Sequence, residues 1–157
     1  MTMLARLCLA LAAFLLPAGC AVAENALTGG KSDCRYEVPD GWLPKDVRWS
    51  GACHEGTADG HGVLREFSGT QVSRIFFGML GRGKLRIGVI QQSDGFKAGR
   101  FDAGKIVDDG DRNALIKAFD EAATAAKQVS ETYRREGNTA SARFYLDKSK
   151  QLAEQMD

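Results

Sequence analysis

An α+β fold is expected: an antiparallel β-hairpin meander followed by a C-terminal two-helix hairpin. Three features of the sequence predict it. A Gly-x-Φ-x-x-Gly spacing (Φ a large apolar residue or Cys) occurs at Gly51/Cys53/Gly56, Gly78/Leu80/Gly83 and Gly99/Phe101/Gly104. Leu85, Ile87 and Val89 alternate with other residues as a half-buried strand does. From Asp111 onward glycine nearly vanishes, and apolar residues recur at helical spacing.

Residues 1–23 read as an address. Arg6 precedes an apolar run from Leu7 to Leu16, and the segment ends Ala21-Val22-Ala23. That is the pattern of a secretory signal peptide cut after Ala23. The run is too short to span a bilayer, and no later apolar run is long enough either. A second reading makes Cys20 a lipid-anchored residue, because Ala18-Gly19-Cys20 is like the end of a bacterial lipobox. Pro17 stands where that motif carries an aliphatic residue. The protein is therefore expected to be exported, periplasmic or extracellular.

Cleavage removes Arg6 and no acid, so 20 basic and 20 acidic residues remain. A neutral balance argues against nucleic acid, which wants a basic face. About 134 residues suffice for one modest domain. Of four cysteines, Cys34 and Cys53 survive the cut. An even pair in an exported chain reads as a disulfide. It closes a loop of about 20 residues, worth roughly 3 kcal/mol in the chain-entropy view.

Residues 24–46 form a leader with a disulfide arm. Glu24 to Ser32 is small and polar; Cys34 to Trp42 carries the turn signal Pro39-Asp40-Gly41, with Trp42 and Leu43 as its first bulky apolar anchors. Residues 47–110 form the sheet. Period-2 geometry puts Trp49, Gly51 and Cys53 on one strand face, then Phe76, Gly78 and Leu80, then Lys97, Gly99 and Phe101. The middle glycine of each set leaves a hollow for a ring from a neighbouring strand. Gly56, Gly83 and Gly104 suit three-residue hairpin loops whose last residue takes positive φ. Returning strands are expected over 57–67, 84–91 and 105–107, about six short strands in all.

The run Trp49-Ser-Gly-Ala-Cys-His-Glu-Gly-Thr-Ala-Asp-Gly-His-Gly-Val-Leu64 resembles a MORN repeat, with Trp49, Gly51, Cys53, Gly56, Gly60 and Gly62 on its pattern. The second unit keeps Phe76, Gly78 and Gly83; the third keeps Gly99, Phe101 and Gly104 but opens on Lys97. The Trp-Ser-Gly-x-Cys form is similar to that of exported bacterial MORN proteins. The resemblance implies a bond from Cys53 to the upstream Cys34. It also implies an interaction or structural module, sometimes proposed to touch lipid, rather than a catalytic domain.

Residues 111–157 read as a helical hairpin packed on the sheet. Leu115, Phe119, Ala122, Ala126, Val129 and Tyr133 form the seam of a first helix capped by Asp111. Gly137-Asn138 ends it, and Thr139 caps a second helix with Ala142, Tyr145, Leu152 and Met156 on one face. Tyr133, Gly137, Asn138 and Ala142 also weakly resemble the middle of one tetratricopeptide unit. Such a unit offers a peptide-docking reading beside the plain covering hairpin.

Few chemistries are supported. His54 and His61 are read as exposed turn histidines; with Cys53 and Glu55 they match no zinc spacing. No cofactor motif is present: Gly78 to Gly83 lacks the Gly-Lys-Ser/Thr of a phosphate loop. Asp108, Asp109 and Asp111 lack calcium-loop spacing and read as solvated acids. Arg82, Lys84, Arg86, Lys97, Arg100 and Lys105 make the middle of the sheet locally basic, a solvated face or an anion-binding one. The expectation is a non-catalytic module of the cell envelope that binds another envelope protein. Its alternative is a peripheral binder of anionic lipid or cell-wall polysaccharide; a hydrolytic enzyme ranks last. The exported protein should begin at Glu24 without lipid, and an intact mass that includes acyl chains on Cys20 would refute this.

Overall fold

The computed structural model describes residues 34–108 and 110–156. The signal segment, Cys20 and the leader before Cys34 lie outside the described residues. Six strands follow one another as neighbours in sequence order, all antiparallel. They are β1 (Val47–His54), β2 (Thr57–Ser68), β3 (Gln71–Gly81), β4 (Lys84–Gln92), β5 (Gly95–Asp102) and β6 (Lys105–Ile106). Helices α1 (Arg112–Arg135) and α2 (Thr139–Ala153) complete the expected α+β arrangement. No described helix is long and apolar enough to cross a membrane.

The hairpin loops are shorter than the spacing predicts. His54 pairs with Thr57, Gly81 with Lys84 and Asp102 with Lys105, so each turn has two residues rather than three. Both central residues are left-handed: Glu55 and Gly56 at φ 48° and 73°, Arg82 and Gly83 at 50° and 77°, Ala103 and Gly104 at 45° and 79°. Positive φ at both positions is the type I′ hairpin, whose twist matches that of the flanking strands. Glu, Arg and Ala at the first position hid it, because that site usually carries Asn, Asp or Gly.

The glycine hollows are filled differently from the expectation. Gly51 pairs with Gly62, Gly62 with Gly78, Gly78 with Gly88 and Gly88 with Gly99. One row of glycines therefore crosses five strands. Trp49 lies over Gly51 and Gly62, and Phe76 over Gly78 and Gly88. Each ring folds back over the glycine two residues along its own strand and reaches that glycine's neighbour. The hollows at Gly51 and Gly78 are thus filled from their own strands, and the one at Gly99 holds no ring but meets Ile106 of β6. A methyl group at Gly88 would stand 2.7 Å from the Phe76 ring and 2.8 Å from Gly78 Cα. Phe76 meets Phe101 edge-on, centroids 5.4 Å apart.

The N-terminal arm lies across this ring-bearing side, with Cys34 and Trp42 packed in one buried cluster with Trp49, Leu64, Phe76, Leu80 and Phe101. Its backbone runs over the three hairpin tips. Arg35 N donates to Gly56 O (2.9 Å), Glu37 N to Gly83 O (2.7 Å) and Asp40 N to Gly104 O (2.8 Å). Cys34 and Cys53 form the disulfide, Cα atoms 5.8 Å apart. Such a bond belongs to an oxidising compartment rather than the reducing cytosol. Arg74 holds the arm's far end: its guanidinium lies 5.0 Å over the Trp42 ring and donates to Gly41 O and to both carboxylate oxygens of Glu66. The Arg74 hydrogen bonds, ahead of desolvation, keep the buried Glu66 carboxyl below the usual carboxylate range.

The opposite side of the sheet carries Val63, Ile75, Phe77, Ile87 and Val89 against Phe119, Ala122, Ala126, Val129 and Tyr133 of α1 and Ala142, Tyr145 and Leu152 of α2. Leu115 departs from the expected seam and is 38% exposed. At the first turn the buried stripe passes instead through Ala114 and Ala118, one position round the helix. Asp111 caps α1 as expected, accepting from Asn113 N. The α2 cap is Asn138, not Thr139: its side chain accepts from Ser141 N, and Thr139 is already helical. Gly137 at φ 78° allows the join. Asn138 N bonds Tyr133 O and Gly137 N bonds Arg134 O, a Schellman closure. Tyr133 and Tyr145 stack at 5.6 Å, and Met156's side chain lies outside the described residues.

Three stability outcomes are expected. Phe119, edge-on to Phe96 at 6.0 Å, is a core ring. Phe119→Ala should cost about 3–5 kcal/mol in denaturant unfolding. Residues 24–110 alone should expose Phe77 and Val89 and lose solubility; an equally stable, soluble fragment would contradict the two-sided core. Cys34→Ser should cost about 2–5 kcal/mol, as for native bridges of small secreted domains. Two titratable thiols in the folded, oxidised protein would remove the basis for that number.

Candidate functional site

With helices on one side of the sheet and the arm on the other, the open surface lies at the margins. β1 is an outer strand, paired only with β2. Outer strands present backbone N–H and C=O groups without a ladder partner. Part of this edge is already used: the Tyr36 hydroxyl donates to Val47 O (2.8 Å) and accepts from Trp49 N–H. Burial, the larger effect, raises the Tyr36 hydroxyl above its ordinary pKa. Beyond Trp49 the strand bulges between Gly51 and Cys53, and Gly51 and Ala52 are exposed.

Beside this stretch lies a groove of about 770 Å³ between β1 and the C-terminal half of α1. Ser50, Gly51 and Ala52 form one wall; Gln128 and Thr132, one turn apart and exposed, rim the other; Val129 and Tyr133 lie at its base. His61 lines it too, with Nε2 2.5 Å from Glu121 on α1. That is a correction: His61 is a half-buried strand residue tied to a helix, not an exposed turn histidine. His54 is exposed, as read. The small residues of β1 and the i, i+4 polar pair beside the helix seam were the signal in the sequence, visible only once strand and helix are known to be neighbours.

The six basic residues are not brought to one face. Lys97 and Arg100 stand three apart on β5, so their side chains leave opposite sides of the sheet. Arg100 turns to the helix side, 3.7 Å from Asp111. Lys97 pairs in register with Ile90 on the arm side. Arg82 sits in a hairpin turn, and the Arg86 guanidinium packs over Gly81. Lys84 and Lys105 open the strands returning from the second and third turns. Most of the repeat-defining residues assemble: Gly51, Gly62, Gly78 and Gly99 in the glycine row, Trp49 and Phe76 over it, Phe101 edge-on to Phe76, and Gly56, Gly83 and Gly104 as the tips beneath the arm; Gly60 stands apart, paired with Leu80. Among the described residues no three His, Cys, Asp or Glu side chains gather as a metal cluster would.

Comparison of the chain with protein-family models, with curated proteins and with solved structures gives no match.

Proposed function

We propose that this is a non-catalytic binding module of the cell envelope, built on a MORN-type sheet, whose β1–α1 groove takes an extended segment of another envelope protein. The observation that carries the reading is the groove itself, an open outer strand running beside a helix with apolar residues between them. A peptide entering such a groove adds a strand, its backbone bonding the free edge and alternate side chains meeting the helix. Tyr36 covers the edge up to Trp49 and the Trp49 indole N–H donates to Ala52 O, so the open register is short, centred on Gly51, and side-chain contacts with Val129 and Tyr133 must supply the rest. The disulfide fits an exported, periplasmic location.

The rival reading, a peripheral binder of anionic lipid or polysaccharide, needs a coherent basic face, and the six cations diverge. An enzyme would recruit His61 and Glu121, an imidazole with an orienting carboxylate. The groove's Ser50 hydroxyl is buried and accepts from Arg65 Nη2, which leaves it poorly placed as a nucleophile.

Thr132→Trp should fill the groove without touching the core, because Thr132 is exposed. A photo-crosslinking residue at Ala52 should capture one envelope protein in cells, and Thr132→Trp should reduce that adduct at least tenfold with no change in melting temperature. Capture should persist in high salt. Equal capture with and without the Trp, or an adduct lost in salt, would count against the groove.

A further inference from the structure

The N-terminal arm crosses the hairpin tips in a fixed order. Asp40 meets Gly104, Glu37 meets Gly83 and Arg35 meets Gly56, so the chain, followed back towards its start, travels from the β5–β6 tip to the β1–β2 tip. There it is pinned twice. Arg35 bridges Thr57, its N–H donating to Gly56 O and its C=O accepting from Ala58 N (2.9 Å each), and Cys34 is bonded to Cys53. The next feature in that direction is the outer edge of β1.

The described arm begins at Cys34, and ten residues, 24–33, separate it from the expected cleavage point. Their point of attachment stands beside the β1–α1 groove. The Cys34 and Cys53 Cα atoms are 5.8 Å apart, and Gly51 is two residues along β1 from Cys53, about 7 Å. The open register at Gly51 thus lies within about 13 Å of Cys34. Leu27, seven residues before Cys34, has an extended reach of about 23 Å. That is enough to pass the edge, reverse and return along it.

The composition of this leader suits such a path. Gly29-Gly30 permit the reversal, and Leu27 is the one large apolar residue of the ten. The groove offers the counterpart, an open strand edge at Gly51 above an apolar base of Val129 and Tyr133. A register this short makes a weak site for an untethered segment. A segment joined to the fold a few residues away needs little affinity of its own, because a short linker gives an effective concentration in the millimolar range. A second copy of the chain at micromolar concentration competes at roughly a thousandth of that.

We propose that residues 24–33 occupy the β1–α1 groove of their own chain in the free protein, with residues 25–28 against the Gly51 edge and the Leu27 side chain on Val129 and Tyr133. The inference rests on the groove reading above and adds its regulation. A partner segment has to displace the leader, so recognition is a competition between the chain's own start and the partner.

The test uses the full exported, oxidised protein with a photo-crosslinking residue in place of Leu27. Irradiation of the purified protein should join position 27 to the α1 peptide 128–134 within a single chain, at a yield that does not fall on tenfold dilution. Thr132→Trp, which fills the groove, should cut that link at least tenfold. Deleting residues 24–31 should raise the capture of an envelope protein from position 52 several-fold. No link, a link to a second chain, a link on the arm or at the start of α2 instead of 128–134, or a yield indifferent to Thr132→Trp would overturn the proposal. The two readings fail separately. An internal link with no envelope protein captured by either form removes the partner and keeps the leader; capture unchanged by the deletion removes the leader and keeps the partner.

Discussion

The row Gly51–Gly62–Gly78–Gly88–Gly99 is the constraint on which the rest of this structure depends. Glycine in a strand interior weakens the strand, and the cost is met only where something must come close. Here two rings come close, each lying flat on the backbone. Trp49 and Phe76 would stand upright if the row carried side chains, because a methyl at Gly62 or Gly78 would occupy their space. Flat rings give a low surface, and that surface lets a single strand of chain pass over the hairpin tips near enough to bond the carbonyls of Gly56, Gly83 and Gly104. Tip and arm are matched in turn: a Cβ on Gly104 would stand 2.9 Å from Val38 O. The turn glycines thus serve twice, for positive φ and for close approach.

The helix side solves the opposite problem. There the sheet presents bulk in Phe77, Val89 and Ile75, and the helix presents alanine. Ala118, Ala122, Ala125 and Ala126 are wholly buried. Short side chains let the α1 backbone settle against the strands and against α2, while Tyr133, Tyr145 and Phe119 fill the remaining gaps. Burial pushes the Tyr145 hydroxyl pKa up to about 12, so it stays protonated throughout the physiological range. Two hydroxyls tie the helices across their seam: Ser130 Oγ to Ala142 O and Ser149 Oγ to Ala123 O. Each satisfies itself on a backbone carbonyl, the usual way to bury a serine in a helix pair.

What could be read in advance follows how local each signal is. The turn glycines, the apolar run of β4 and the switch to helical period after Asp111 are each carried by residues close in sequence, and the fold class came from them. The Asp111 cap was legible for the same reason, and the paired cysteines from their even count in an exported chain. The one-face alternation did not hold through Leu85: a register shift opposite it turns Leu85 to the arm side with Leu80 and Phe101, while Ile87 and Val89 face the helices. Register is not local. Gly62 and Gly88 join the row only through cross-strand pairing, and nothing near Gly88 announces that it faces Gly78. The arm's grip on the tips is made by backbone groups and leaves no side-chain signature. Thr139 and Asn138 are both competent caps, and Asn138 takes the role because its backbone is still non-helical when its side chain reaches Ser141 N. Leu115 was misplaced by extending a seam one turn past the stripe that the sheet covers. The groove, and a second cavity at the start of α2 lined by Arg65 and Gln91, were invisible because each is bounded by elements distant in sequence.

Covering both faces of the sheet with its own chain decides where recognition can occur. Left open, the arm side would offer rings and glycine hollows to a partner. Here Trp49, Phe76 and Phe101 are buried under residues 34–42, and the disulfide keeps that cover in place. Reduction would free the arm's covalent end, but the backbone bonds to Gly83 and Gly104 and the Arg74 clamp on Trp42 would still hold the remainder. The ring face is therefore structural in the folded protein. What remains available is the periphery: the β1 edge beyond Tyr36's reach, and the cavity where α2 begins. Both lie between the sheet and a helix, so both depend on the hairpin being packed rather than free. A change that lifts the helices from the alanine-lined contact that completes the core would therefore open the groove and the cavity together.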